Sequence, residues 1–299
     1  MLMEGRPPMR EVNGLLFIGD PHLSSRKPGR RKDDDFPAVV LGKIEHLVEV
    51  ANRERYLPVF LGDMYDSPVE ADEEVKTRLT RVLKKSWTVP VCNVGNHDIR
   101  NAVLTDGDSL AYLAESGVVR ACARSGPVET VTMGGKKVGL GATPYGQSFP
   151  LDARPHFPDV DAVVWITHHD IAFADPYPGS AAPQAIAGCK LVVNGHMHLA
   201  KPFVKVGGTV WFNPGNITRQ AIDAIDHEPA AWVLLASGAL EKVGIPHEKA
   251  VFDLTGKLVS AISPGEDPRK SEGRDSEFVS LLQADDSMDM DRSDDGSIL

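Results

Sequence analysis

Cysteine is scarce in this chain. Cys92, Cys122 and Cys189 are the only three in 299 residues, an odd number without metal-ligand spacing. That excludes a disulfide framework and points to a reducing, cytoplasmic setting. Long apolar runs are also missing. No stretch approaches the ~20 residues needed to cross a bilayer, and residues 1–13 lack the apolar segment of a signal peptide. No repeat of fixed period is present, which argues against a solenoid. Basic excess is absent as well, since the net charge is −10. Its distribution is uneven. From Pro264 onward eleven acids face four bases, so this stretch carries −7 and the rest of the chain only −3. Rich in Ser, Asp and Gly, that stretch is expected to stay disordered, with Phe278-Val279-Ser280-Leu281-Leu282 as a short apolar island. The 42% hydrophobic content is enough to bury a full core in one large domain.

Five short polar motifs stand out: Asp20-Pro21-His22, Gly62-Asp63, Gly95-Asn96-His97-Asp98, His168-His169 and Gly195-His196-Met197-His198. Four of them follow apolar runs that read as buried strands: Leu15-Leu16-Phe17-Ile18, Val59-Phe60-Leu61, Val163-Val164-Trp165-Ile166 and Leu191-Val192-Val193. Val89-Pro90-Val91-Cys92, before the Gly95 motif, is a weaker strand signal. Polar residues at the ends of such strands are gathered along one rim of an open α/β sheet, where ligands bind.

Singly, Asp-x-His or Gly-Asp means little, because Gly and Asp are ordinary turn residues. As a set they supply what a two-metal phosphoesterase needs. Two divalent cations about 3.5–4 Å apart clamp the attacking and leaving oxygens of a phosphoryl group. Asp63 suits the carboxylate that bridges them. Asp20 and His22 can reach one cation together, His196 and His198 can serve different ions, and Asn96 and His168 add neutral donors. This nitrogen and oxygen shell suits Mn, Fe, Zn or Ni better than Ca or Mg, and the lack of cysteine argues against a closed structural zinc site.

The pattern D-x-H, GD, GNHD, H, GHxH resembles that of the calcineurin-like metallophosphoesterases, over residues 15–219. The resemblance implies that Asp20, His22, Asp63 and His198 surround a first metal, and that Asp63, Asn96, His168 and His196 surround a second. His168 is chosen over His169 because the second-site histidine normally follows its strand directly. The resemblance further implies that His97 is the general acid for the leaving oxygen and that Asp66 orients it. The implied cofactor is a pair of divalent ions, with Mn favoured. The implied chemistry is cleavage of phosphodiester bonds by metal-activated water, within a metallophosphoesterase domain of residues 1–262 followed by an acidic tail, 263–299. The implied fold is α/β, a two-sheet β-sandwich flanked by helices.

Periodicity agrees with that fold. Helices are expected over 37–53, 69–84 and 109–115. Strands are expected over 118–121, 128–132 and 137–141. Further strands over 203–206, 209–212 and 230–235 read as a second sheet, and the ordered chain is expected to end near Ser260.

Substrate expectations rest on a closer similarity to DNA-repair exonucleases of the SbcD type. It is carried by the loop after His22, by Gly141-Ala142-Thr143-Pro144-Tyr145-Gly146, and by Asn194 to His198 followed by Asn213-Pro214-Gly215-Asn216-Ile217-Thr218-Arg219. Two positions depart from that pattern, with Asn216 in place of Ser and Asp66 in place of the frequent His. No segment reads as a DNA-capping domain. In Arg26-Lys27-Pro28-Gly29-Arg30-Arg31-Lys32, five bases precede Asp33-Asp34-Asp35, and Arg30, Arg31 and Lys32 are candidate phosphate contacts. No aromatics interleave with these bases to suggest base stacking. Of three readings the first is the expected one, and the other two are alternatives. The first is a nuclease-like enzyme acting on DNA, working with a partner ATPase. The second is a phosphatase or phosphodiesterase for small nucleotides or phosphoproteins. The third is a non-catalytic scaffold that keeps the fold, and the intact ligand set with His97 weighs against it.

Overall fold

The structure, a computed structural model, describes residues 9–255. The expected tail at 263–299, its Phe278 island and the expected end of order near Ser260 lie outside the described residues.

In chain order the first strands are β1 (Arg10–Glu11), β2 (Gly14–Ile18), β3 (Tyr56–Phe60), β4 (Val91–Asn93), β5 (Arg120–Cys122), β6 (Gly126–Met133) and β7 (Lys136–Thr143). They continue as β8 (Ala162–Thr167), β9 (Leu191–Asn194), β10 (Lys201–Val206), β11 (Thr209–Asn213), β12 (Ala230–Leu235) and β13 (Leu240–Gly244). The helices are α1 (Phe36–Glu54), α2 (Glu73–Leu83) and α3 (Ser109–Glu115). One sheet runs β1-β6-β7-β8-β9-β11-β10 and the other β13-β12-β2-β3-β4-β5. The fold is α/β, two mixed sheets flanked by few helices.

Alternate residues of the central strands serve two cores, which is why those strands read as continuous apolar runs. Leu15 and Phe17 of β2 point between the sheets, where they share a core with Leu140, Val164, Ile166, Val193 and Phe212. Leu16 and Ile18 point the other way, under Ile44, Leu47 and Val48 of α1, Leu79 of α2 and Leu110 of α3. α1 starts where the Asp35 carboxylate accepts the Ala38 N–H, with Pro37 in its first turn, and stops at Arg55 in the left-handed region (φ 61°). α2 is capped by Asp72, which accepts from Glu74 and Val75.

One expectation needs correction. The strands expected to form a second sheet are divided between both. β10 and β11 join the seven-stranded sheet through the parallel β9–β11 pairing, whereas β12 pairs antiparallel with β2. Helices cover only the six-stranded sheet. The outer face of the other is covered by irregular chain, in which Ala153, Phe157, Ile171, Phe173 and Ile186 pack on Trp165 and Trp211. Seven prolines in the segments flanking β8 (Pro144, Pro150, Pro155, Pro158, Pro176, Pro178, Pro183) disfavour helix there. Among the described residues no helix is long and apolar enough to cross a membrane.

Candidate metal centre

β2, β3 and β4 run parallel in one sheet, and β8 and β9 run parallel in the other. All five motifs begin at the carboxyl ends of these strands, so ligands far apart in sequence meet on one rim. Hydrogen bonds between loops set the register. His22 N–H donates to Asp63 O at 2.9 Å, and Leu23 N–H to Met64 O at 3.0 Å. Asn96, His97 and Asp98 form one 3-10 turn. Backbone strain marks the centre: His22, Asp63 and His196 all have positive φ, at 46°, 48° and 68°. Such conformations are costly for non-glycine residues and persist only where the surroundings enforce them.

Two groups of donors converge. Asp20, His22 and His198 form one, with Asp66 and His97 gathered on the other side of His22, and Asp63, His168 and His196 form the other. In the first, His22 Nε2 and His198 Nε2 face each other at 3.0 Å. In the second, Asn96 Oδ1 lies 2.9 Å from His196 Nδ1 and 3.3 Å from His168 Nε2. Asp63 joins the groups through a single oxygen. Its Oδ2 is 3.1 Å from His168 Nε2 and 3.6 Å from His22 Nε2, while Oδ1 accepts the His97 N–H at 2.8 Å.

The hydrogen-bond inventory fits a pair of cations. Both oxygens of Asp20 are buried without a hydrogen-bond partner, a costly state for a carboxylate unless a positive charge faces it. His168 Nδ1 lies 3.0 Å from the Leu61 carbonyl and His196 Nε2 lies 2.9 Å from Asp170 Oδ2, so those nitrogens carry the protons. The remaining nitrogens then turn lone pairs toward Asn96 Oδ1 and Asp63 Oδ2, which are acceptors as well. Acceptors that face only one another are the donor set of a metal. Electrostatics agree. Burial opposes charge on His168, yet the carboxylates of Asp63 and Asp20 hold its pKa up to about 10. Burial alone would raise Asp63, but His168 and then His22 hold it well below the usual carboxylate range. A field that keeps a proton on His168 is one in which a cation replaces that proton.

His169 turns away from this centre. Its Nε2 pairs with the Gln147 carbonyl at 3.0 Å, Phe149 packs edge-on at 4.6 Å, and burial brings its pKa down to about 4. His97 sits edge-on to His22, ring centroids 4.8 Å apart. The group that holds it is the main-chain carbonyl of Asp66, 2.7 Å from His97 Nδ1. The Asp66 carboxylate instead lies 3.3 Å from His22 Nδ1, off the line of a good hydrogen bond, and accepts the Gln220 amide at 2.8 Å.

The expected phosphate loop meets a different fate at each base. Arg31 is buried. Its guanidinium grips Asp33 through two nitrogens, at 2.6 and 2.9 Å, and donates to the Arg219 carbonyl at 2.8 Å. Arg31, buried and held by Asp33, therefore does not face a substrate phosphate, which corrects its place among the candidate contacts. Arg30 donates to the carbonyls of Asp253 and Thr255. Lys32 is exposed.

The sequence profile of the calcineurin-like phosphoesterases matches residues 15–200, which span every ligand named above. The chain belongs to that family. The family is one of phosphoesterases. No curated protein sequence matches it. Among solved structures it is similar to a 5'-nucleotidase precursor from Thermus thermophilus, at 12% identity and a TM-score of 0.47, covering 90% of this chain and 59% of that one. It is also similar to the NAD nucleotidase of Haemophilus influenzae, at 12% identity and a TM-score of 0.44, covering 94% and 57%. A hypothetical protein from Thermus thermophilus is matched at 14% identity and a TM-score of 0.45, covering 79% and 99%. The chain thus spans under two thirds of the length of both nucleotidases, and likeness this distant does not speak to substrate.

Three residues of this phosphoesterase centre had no assigned role in the sequence reading. Asp98, the last residue of the Gly95 motif, is fully buried and accepts the N–H groups of Asp63, Met64 and Gly95 at 2.8, 3.0 and 2.9 Å. Burial and the charge of Asp63 push its pKa up to about 7 against those donors. Its signal was its place in the motif. Asp170 follows His168-His169 directly, whereas Gln220 carries no local signal. Two motif glycines are also explained. A Cβ at Gly95 would collide with the Asp63 carboxylate, and one at Gly62 with the His168 ring.

Proposed function

We propose that this phosphoesterase hydrolyses small phosphate esters of the nucleotide class, with His97 protonating a sugar-type alkoxide as it leaves. The observation that carries the chemistry is the tether on His97. With Nδ1–H donated to the Asp66 carbonyl, Nε2 is the free nitrogen, beside the first group of ligands. A positioned acid matters most when the leaving oxygen is basic. Two bound divalent cations, Mn favoured by the nitrogen and oxygen donors, would supply Lewis acidity and a field for anionic oxygen. Asp20, His22, Asp63 and His198 would hold one, and Asp63, Asn96, His168 and His196 the other.

A small substrate is supported by the inward turn of Arg31, which removes one base of the loop from the surface. Half-buried Tyr145, its ring 5.6 Å from His196, offers a flat apolar face beside the second group. A nuclease-like reading, with its partner ATPase, keeps one observation in its favour: Arg26, Lys27, Arg30 and Lys32 remain exposed. One Mn-loaded preparation assayed on nucleoside monophosphates, bis-p-nitrophenyl phosphate and labelled linear DNA separates the two. Turnover of small esters with no DNA degradation is expected. Salt-sensitive DNA cleavage that weakens when Arg26, Lys27 and Lys32 become Ala would establish the nuclease instead.

A further inference from the structure

His196 is held from outside the ligand set. Its Nε2 lies 2.9 Å from Asp170 Oδ2, and its Nδ1 lies 2.9 Å from Asn96 Oδ1. A carboxylate only accepts, so the proton sits on Nε2 and Nδ1 presents its lone pair inward. Asp170 is itself restrained. Tyr177 donates its hydroxyl to Asp170 Oδ1 at 3.1 Å, and Ala181 N–H donates to the Asp170 carbonyl at 2.8 Å. The loop that carries it closes through the Ile171–Ala181 bridge and through Ser180 Oγ, which donates to the Tyr177 carbonyl at 2.7 Å.

His196 needs such an anchor, because its backbone is in the left-handed region. The other second-site histidine, His168, is locked by a main-chain carbonyl buried at the end of β3. For His196 the lock is instead a side chain on a surface loop, 41% exposed. Asp170 is not among the donors that converge on the centre.

The geometry points to Asp170 as the positioning residue for His196, fixing the tautomer and the orientation in which that ring takes a metal. The surface loop 170–181 thereby sets affinity at the second metal position. This rests on His196 being a ligand. Outer carboxylates of this kind change metal affinity by about 10–100-fold when removed.

Calorimetric titration of the chelator-stripped protein with Mn tests it, with thermal melts of each stripped variant confirming the fold. Asp170→Ala is expected to weaken one of the two binding events by about 10–100-fold. Asp170→Asn, whose amide oxygen still accepts the Nε2–H, is expected to retain most of the affinity. In a His196→Ala background, the further change Asp170→Ala should have no effect, because the interaction it serves is already gone. Unchanged affinity in Asp170→Ala would overturn the proposal. So would an equal loss in both backgrounds, which would make Asp170 a general negative charge rather than a lock on one ring. Failure of the underlying reading is visible separately: His196→Ala alone would then leave both binding events intact.

Discussion

His97 shows how one contact assigns a role to a residue. It stands in the turn that carries Asn96, and its ring is tethered to the Asp66 carbonyl while it lies edge-on to His22. His97→Ala is therefore expected to lower turnover by ~10²–10⁴ while leaving the metals bound. The loss should be larger for an alkyl or sugar ester than for a p-nitrophenyl ester, whose leaving group needs no proton. Equal loss on both substrates, or loss of metal, would make His97 a ligand. Asp98 acts differently, because it touches only backbone. Asp98→Asn turns an amide donor toward N–H groups, and a cost of about 2 kcal/mol is expected. Thermal melts of the metal-free protein measure it, and an unchanged melting temperature would refute it. The convergence of the candidate ligands was legible in sequence because histidines, aspartates and an asparagine at the ends of apolar strands have few other uses. Asp98 and Asp170 were not, since a carboxylate that receives N–H groups looks like any turn residue until its donors are placed. Arg31 failed for the opposite reason. Nothing local distinguishes a solvated arginine from one that a later segment covers, and here residues 251 and 252 close over the loop through Lys32 N–H to Val251 O and the Arg31–Phe252 bridge.

At the scale of elements, α1 carries an unusual group on its buried side. Lys43 Nζ donates to the Ile217 carbonyl at 2.8 Å, beside Arg31 and Arg219, with Asp33 as the acid in the cluster. Burial first, then the two arginines, bring its pKa down to about 7, and Asp33 only partly opposes them. An unfolded lysine titrates near 10.4. Below about pH 7 both states are charged and the cost of burying the cation is fully present. Between about pH 7 and 10.4 the folded protein has released the proton and the unfolded chain has not, so stability rises with pH through that window. Lys43→Met should remove a contribution on the order of 4 kcal/mol to that rise. Denaturant unfolding at pH 7 and pH 10 measures it, and a slope equal to wild type would contradict the assignment. The elements themselves were largely legible. α3 falls where periodicity places it, and α1 extends one residue beyond each expected end. Sheet membership was not legible, because nothing local in β10, β11 or β12 names the strand each pairs with. Only their partners, β9 for one sheet and β2 for the other, divide them.

Across the whole molecule, two sheets bring the ends of five parallel strands to one rim, and the centre depends on both. Asp20, His22, Asp63 and Asn96 come from one sheet, and His168, His196 and His198 follow strands of the other. Asp63 joins the two through one oxygen that faces His22 and His168. Elemental analysis of Mn-loaded wild type and Asp63→Asn, paired with turnover of a phosphate ester, tests this directly. Asparagine keeps an oxygen for the His97 N–H but removes the charge that would hold both cations. The expected result is two metals per wild-type chain, with activity abolished by chelation and restored by Mn, and fewer than two metals with little activity in the variant. Two metals in both proteins with equal activity would contradict it.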